Sequence, residues 1–216
     1  MKHFFLVLAI GCCFGVPRTK AADFLAEVSY RRLPAFLNGE HVTGVWHLVP
    51  GDTVTTGNGR AYVTAKYLDS TRIGVMPNAK AIFQPGWVDL ITGPLDVDVV
   101  QGTKHVEQIE TPVGIIGLEA ATGVVNLKEA QTDGSREIKF SAKLGAFVFQ
   151  VAGREKDTPR RTITIDKGDA ASLSISDGGR TIAINVTKGE VRVQVGGDVT
   201  ISFPQTARGT IACIPD

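Results

Sequence analysis

The sequence predicts an all-β protein built from stacked or sandwich-like sheets of many short antiparallel strands. Apolar and polar residues alternate with a period of two over segments of four to eight residues. Turn-forming residues separate these segments. After the N-terminal segment, no stretch keeps a helical period over three turns. The best helical candidate, residues 117–131, is interrupted by Gly123 and contains the β-branched pair Val124–Val125, which favours a strand.

The alternating segments run from residue 61 to residue 203, and each predicts one strand. They are AYVTAKYL (61–68), RIGVM (72–76), KAIF (80–83), PLDVDVV (94–100), HVEQI (105–109), EIKFSA (137–142), AFVFQVA (146–152), RTITI (161–165), SLSI (172–175), TIAINV (181–186), EVRVQV (190–195) and DVTISF (198–203). Turns such as Gly57–Asn58–Gly59 and Asp177–Gly178–Gly179 separate them, because Gly, Asn and Asp tolerate a positive φ. For the chain as a whole, we predict about 14 or more short strands.

The first 22 residues have the composition of a cleavable secretory signal. Lys2 supplies a positive charge, an apolar run extends from Phe4 to Val16, and small residues follow at Ala21 and Ala22. The run is shorter than the roughly 20 apolar residues that a membrane-spanning helix needs. We therefore predict a signal peptide over 1–22, no transmembrane helix in the mature chain, and a periplasmic or secreted protein.

Two alternatives for the N-terminal segment stay open. Gly11–Cys12 resembles the bacterial lipobox, so the first alternative is a protein anchored by a lipid on Cys12. The second is a buried strand or short helix of a cytosolic protein. If cleavage falls near Ala21, Cys213 is the one cysteine that remains, and the fold has no intramolecular disulfide. The apolar neighbours of Cys213 indicate that it is a small hydrophobic residue in a strand and not a reactive thiol.

A dense charge cluster, REKDTPRR at 154–161, predicts a solvated loop between two halves of the chain. We predict a β-domain over 23–153 and a C-terminal β region over 154–216, which either stands alone or continues the first. As an alternative role, the four basic residues of the cluster bind an anionic polymer or a lipid headgroup. Glu155 and Asp157 offset half of that charge.

Two pairs of segments indicate a degenerate internal repeat. TGPLDVDVVQG (92–102) has the same layout as TKGEVRVQVGG (187–197), and LDSTRIGVMP (68–77) that of SDGGRTIAINV (176–186). A repeat of about residues 50–117 in 165–211 predicts stacked β units that share one core. Chance similarity between hairpin-rich segments is the alternative.

The turns between residues 45 and 125 follow a distinctive order. They are Gly51–Asp52, Thr56–Gly57, Arg60–Ala61, Asp69–Arg72, Met76–Ala79, Gly93–Val97 and Thr111–Pro112. This order resembles the FecR domain, a β-domain of bacterial envelope proteins, although the usual Asp-Gly-Ser turn is Asp69–Ser70–Thr71 and lacks its Gly. Because Pro77 fixes φ and the Asp69 carboxylate can accept backbone N–H bonds, we interpret these residues as fold-determining.

The resemblance implies an exported domain that binds another envelope component. The family's namesake senses a receptor outside and controls a transcription factor inside through a transmembrane helix. We expect no cytoplasmic domain before the apolar segment of this chain, so the resemblance predicts the exported β-domain, with envelope signalling as an alternative.

Composition and motifs favour binding over catalysis. Lys and Arg total 23 and Asp and Glu total 22, which gives no field for nucleic acid or an anionic membrane. His41 and His47, beside Glu40, form at most a weak metal site and are more simply unrelated surface residues. Asp96 and Asp98 alternate on one strand, which indicates the solvated side of a sheet more than a glycosidase pair. We assign no catalytic, metal-binding or ligand-binding residue and no cofactor.

The two tryptophans, Trp46 and Trp87, are the remaining candidates. Trp87 follows the Pro85–Gly86 turn, and we interpret it as a core residue rather than a stacking platform for a sugar or an aromatic peptide residue. The sequence therefore predicts a non-enzymatic protein that binds an envelope protein or a cell-wall or surface polymer. The alternatives are a hydrolase of envelope carbohydrate and an assembly subunit that pairs through exposed strand edges. The sequence does not predict an oligomeric state.

Overall fold

The computed structural model describes residues 24–32, 34–41, 44–151, 161–196 and 199–212. These residues form 18 strands and one short 3-10 turn, Asp177–Gly179. The strands are β1 (Ala26–Arg32), β2 (Ala35–Leu37), β3 (Glu40–His41), β4 (Trp46–Leu48), β5 (Thr53–Thr56), β6 (Tyr62–Lys66), β7 (Arg72–Val75), β8 (Lys80–Gln84), β9 (Gly86–Asp98), β10 (Val106–Thr111), β11 (Gly114–Leu127), β12 (Arg136–Val151), β13 (Arg161–Ile165), β14 (Ala170–Ser176), β15 (Thr181–Lys188), β16 (Val191–Val195), β17 (Val199–Phe203) and β18 (Arg208–Ala212).

The all-β fold class predicted from the alternation is confirmed. Three strands are longer than the sequence predicted: β9 has 13 residues, β11 has 14 and β12 has 16. One pair, β9 with β10, is parallel, whereas the other pairs are antiparallel. Within the described ranges, no helix is long and apolar enough to cross a membrane.

The three long strands bend and divide the sheet into two layers. In the first layer the strand order is β4-β1-β6-β7-β9-β11-β12-β14-β15-β18, and in the second it is β3-β2-β5-β8-β9-β10-β11-β12-β13-β16-β17. Each long strand contributes one half to each layer. The bends lie at residues with positive φ: Gly93 (84°), Ala120 (48°) and Gly145 (62°). Strands that change sheet at such bends form the corners of a sandwich.

The core lies between the two layers. Phe140 belongs to the first-layer half of β12, and its ring centroid lies 5.6 Å from that of Phe149 and 6.0 Å from that of Phe147, both in the second-layer half. Phe147 and Phe149 are fully buried. Along most strands buried apolar residues alternate with more exposed ones, so each layer has one inner and one outer face.

The prediction of a solvated loop at 154–161 is wrong for Arg161; residues 154–160 lie outside the described residues. Arg161 begins β13 and is 2% exposed. Its Nη1 donates to the carbonyl oxygen of Arg180 at 2.8 Å, and its Nη2 donates to that of Gly179. The physical reason is parity, because Arg161 points to the same side as the buried Ile163 and Ile165.

The strand pairing repeats along the chain. β5 and β8 pair in the second layer and flank the β6–β7 hairpin of the first, and β13 and β16 flank the β14–β15 hairpin in the same way. β9 pairs with both β8 and β7, whereas β17 pairs with β16 and β18 with β15. The predicted similarity of 68–77 to 176–186 agrees with this repeat because it aligns β7 with β15. The predicted similarity of 92–102 to 187–197 is wrong, since it aligns the first-layer half of β9 with β16 of the second layer.

Candidate functional site

Trp87 lies on the outer face of the second layer, so the prediction that it is a core residue is wrong. It is partly exposed, whereas its neighbour Val88 is fully buried. β9 begins at Gly86, and in an extended strand alternate side chains point to opposite faces. Val88 and Leu90 therefore point into the core, while Trp87 and Asp89 point outward.

Hydrogen bonds hold the polar side chains around Trp87. Its indole Nε1 donates to Asp89 Oδ1 at 3.0 Å, two residues along the same face. On the neighbouring strand β10, Gln108 Nε2 donates to Glu110 Oε1 at 2.9 Å. The parallel register places Gln108 opposite Trp87 and Glu110 opposite Asp89. Two adjacent strands thus present one aromatic ring, two carboxylates and an amide side by side.

A glycine leaves the next position on this face without a side chain. Gly117 in β11 is the register partner of Gln108, on the side away from Trp87. A Cβ built there would meet nothing nearer than the carbonyl oxygen of Val148, at 3.7 Å. The face therefore has a flat area beside Gln108. We call Trp87, Asp89, Gln108, Glu110 and Gly117 the Trp87 face.

The Trp87 face has the chemistry of an open binding surface. Ionised carboxylates only accept hydrogen bonds, whereas the glutamine amide both donates and accepts. The tryptophan ring supplies apolar area that a flat ligand can cover. The sequence contained the signal for this arrangement, because in Trp87–Val88–Asp89–Leu90 the tryptophan has the parity of the aspartate.

Asp96 and Asp98 lie on the outer face of the first layer, as the interpretation of a solvated sheet side predicted. They alternate with the buried residues Leu95 and Val97. Asp96 Oδ2 accepts a hydrogen bond from the Tyr62 hydroxyl at 2.9 Å. Asp98 Oδ1 accepts one from Thr122 Oγ1 at 3.1 Å, so each carboxylate has its own partner.

The structure places His41 and His47 on different strands in different layers. His41 ends β3 and contacts Phe36 edge-on at 5.5 Å, while His47 in β4 contacts Phe24 at 4.6 Å. Gly44, with a φ of 94°, lies between the two strands. In the described part of the chain, no three His, Cys, Asp or Glu residues group as metal ligands. The predictions on residues 1–22, Cys12 and Cys213 lie outside the described residues.

The turn predicted at Asp69 is present and is stabilised by its carboxylate. Asp69 Oδ1 accepts the backbone N–H of Thr71 at 2.9 Å. Burial acts to raise the pKa of Asp69, but hydrogen bonds from Thr103 and Thr71 outweigh it and lower the pKa. Hydrogen bonds from Ser135 likewise lower the pKa of Asp133 in the turn between β11 and β12. Both aspartates therefore act as turn formers.

Comparisons of the chain with protein-family models, with curated proteins and with solved structures found no match. The FecR resemblance therefore stays a prediction from the order of turns.

Proposed function

We propose that this chain is an exported, non-enzymatic binding protein that recognises a neutral glycan of the cell surface through the Trp87 face. The observation that carries the proposal is a partly exposed tryptophan on an outer face, with its indole hydrogen-bonded to Asp89 and with Gln108 and Glu110 on the neighbouring strand. Export is inferred from the signal-like segment 1–22, and an envelope setting from the FecR-like order of turns.

A sugar ring matches the two kinds of group on this face. Its C–H face packs against an aromatic ring, while its hydroxyls donate to carboxylates and exchange hydrogen bonds with amides. On the Trp87 face, Asp89 lies on the same strand as the indole, and Gln108 and Glu110 lie on the neighbouring strand β10. The absence of a side chain at Gly117 gives a polymer room to continue across β11.

The charge on the face favours a neutral ligand over an acidic one. Asp89 and Glu110 are register partners on neighbouring strands and both carry carboxylates. Two like charges in this position repel an anionic polymer, which a phosphate-rich or uronic-acid-rich glycan would be. A neutral glycan instead supplies hydroxyl donors that relieve the repulsion.

The same carboxylates have the wrong arrangement for glycoside hydrolysis. A hydrolase positions its acid and its base or nucleophile on two sides of the scissile bond. Asp89 and Glu110 both project from one open face, so they would contact a bound polymer from one side only. This supports recognition without turnover.

The proposal is tested by co-sedimentation of the full chain with purified, insoluble cell-wall glycan. Trp87→Ala is expected to weaken binding by about 10- to 100-fold, because it removes the central aromatic anchor. Gly117→Gln is expected to reduce binding as well, since it fills the flat area while a Cβ fits the backbone there. Tyr30→Ala, which removes an exposed aromatic residue from β1 in the first layer, is the matched control and should bind normally.

Three results would contradict the proposal. The first is equal binding by the native chain and Trp87→Ala. The second is stronger binding to heparin, a polyanion, than to the neutral wall glycan. The third is release of reducing ends from the glycan that Glu110→Gln abolishes, which would revive the hydrolase alternative.

A further inference from the structure

We propose that the chain forms a symmetric dimer in which β17 and β18 pair edge to edge with the same strands of a second copy. The two strands end their layers: among the described strands, β17 pairs only with β16, and β18 only with β15. A strand with one unpaired edge presents backbone N–H and C=O groups that favour pairing with another strand.

Apolar side chains that point toward the core remain exposed at this end. Ile201 is the register partner of Val193, which is fully buried, yet Ile201 is 38% exposed. Val199, on the same side of β17, is 55% exposed. Their exposure has a simple cause, because no described strand lies beyond β17. The core is therefore open here, and a covering strand would bury both residues.

The repeat within the fold indicates what kind of element covers a layer edge like the one formed by β17 and β18. β9 corresponds to β17 and β18 together, since its two halves pair with β8 and β7 as those strands pair with β16 and β15. The outer edges of β9 are covered by β10 in the second layer and by β11 in the first. Further strands, added to both layers, are therefore the covering that this architecture uses.

The composition of β17 favours a second copy of the chain as the partner that pairs with its free edge. Its sequence, Val199–Phe203, contains no charged residue, so antiparallel self-pairing brings no like charges together. Pairing centred on Ile201 places Val199 opposite Phe203 of the second copy. In β18, pairing centred on Thr210 places Arg208 opposite Ala212 and keeps the two arginines apart.

In the proposed dimer, one two-fold axis perpendicular to the layers would relate the two copies in both pairings. It would carry each layer of one copy to the same layer of the other, so that β17 meets β17 of the second copy while β18 meets β18. Phe203 already crosses between the layers, because a Cβ on Gly209 would lie 2.3 Å from its ring. The opposite edges of the two layers are less suited to pairing, because their outermost strands are short. β3 has two residues, Glu40 and His41, and β4 has three.

Sedimentation equilibrium of the full chain tests the proposal. We expect a monomer–dimer equilibrium for the native chain. Ile201→Lys should raise the dimer dissociation constant about a hundredfold, because two ammonium groups would face each other at the axis. Thr200→Lys, an exposed change on the outer face of β17, should raise it about tenfold without touching the core. Leu68→Lys, at a 78% exposed site in the turn after β6, is the control and should dimerise normally.

Circular dichroism shows whether each variant keeps its β spectrum, and Thr200→Lys decides the result if Ile201→Lys does not fold. A native chain that stays monomeric across the concentration range would overturn the proposal, and would point to a segment of the same chain as the cover. A dimer that survives Thr200→Lys and a folded Ile201→Lys would overturn it too, because it would place the interface elsewhere.

Discussion

Two tyrosines, Tyr62 and Tyr67, differ in whether the phenol hydroxyl has a hydrogen-bond partner. Tyr62 donates its hydroxyl to Asp96 across Gly74, where a Cβ would lie 2.2 Å from that hydroxyl. Tyr67 stacks on His105 at 5.9 Å and is 2% exposed. Its hydroxyl has no hydrogen-bond partner among the described residues. A buried hydroxyl without a partner costs free energy, whereas a paired one contributes to stability.

The same substitution at these two sites should therefore have opposite effects. Tyr67→Phe is expected to raise the free energy of unfolding by about 1 kcal/mol, because it removes an unsatisfied polar group. Tyr62→Phe is expected to lower it by about 1 kcal/mol, because Asp96 loses its donor while the ring under Arg31 is kept. Urea denaturation at neutral pH measures both. A loss of stability in Tyr67→Phe would contradict the argument.

The pH dependence provides an independent check of the same contacts. Burial, followed by the hydrogen bond to Asp96, raises the pKa of Tyr62 from 10.0 to about 12, and burial also raises that of Tyr67. Above pH 10 the unfolded chain loses these protons first, so stability falls as the pH rises from 10 to about 12. Each Tyr→Phe variant should lose less stability over this range than the native chain. An equal loss in all three proteins would show that other groups cause it.

At the scale of elements, the bends in the long strands determine how the layers meet. Gly145 lies at the bend of β12, and a Cβ there would be 2.3 Å from the carbonyl oxygen of Ala120 and 2.4 Å from that of Glu119. Those two residues form the bend of β11. The two corners therefore stack backbone on backbone, and this contact requires a glycine at 145 for space as well as for its φ of 62°.

Gly145→Ala should destabilise the protein far more than the same change at a turn. Gly134 also has a positive φ, 78°, but a Cβ there meets nothing within 4 Å. We expect Gly134→Ala to cost about 1 kcal/mol and Gly145→Ala about 3 kcal/mol or more, because the second adds a backbone clash to the conformational penalty. Thermal and urea unfolding of both variants measure the difference. Equal losses would mean that the corner can relax.

The elements also show what the sequence can predict and why some features escape it. Alternation identifies strands because the residues of one face are buried. The same alternation predicts that Trp87 and Asp89 point to the same face. We nevertheless interpreted Trp87 as a core residue. Arg161 was assigned both to the alternating segment 161–165, which places it on the side of Ile163, and to the charged cluster, which wrongly predicted exposure to solvent. The bends at Ala120 and Gly145 contact each other across the β11–β12 hairpin, beyond the reach of a pattern within either strand, so no local pattern predicts them.

For the molecule as a whole, the long strands make the two halves of the chain share one core. β12 pairs with β11 along its length on one edge, and with β14 and then β13 on the other. One continuous cluster of buried apolar residues extends from Ala26 to Val193. Strands before and after residues 152–160 therefore depend on the same packing.

Phe149→Ala tests this dependence. Phe149 is fully buried beside Phe140, so truncation should cost about 3–5 kcal/mol. Because both halves contribute to one core, native-state hydrogen exchange should speed up in the β6–β7 hairpin and in the β14–β15 hairpin alike. Leu68→Ala, at an exposed site, should change neither. If Phe149→Ala weakened protection in β6–β7 while β14–β15 stayed as protected as in the native chain, the C-terminal strands would be an independent unit. The repeat would then describe two neighbouring domains.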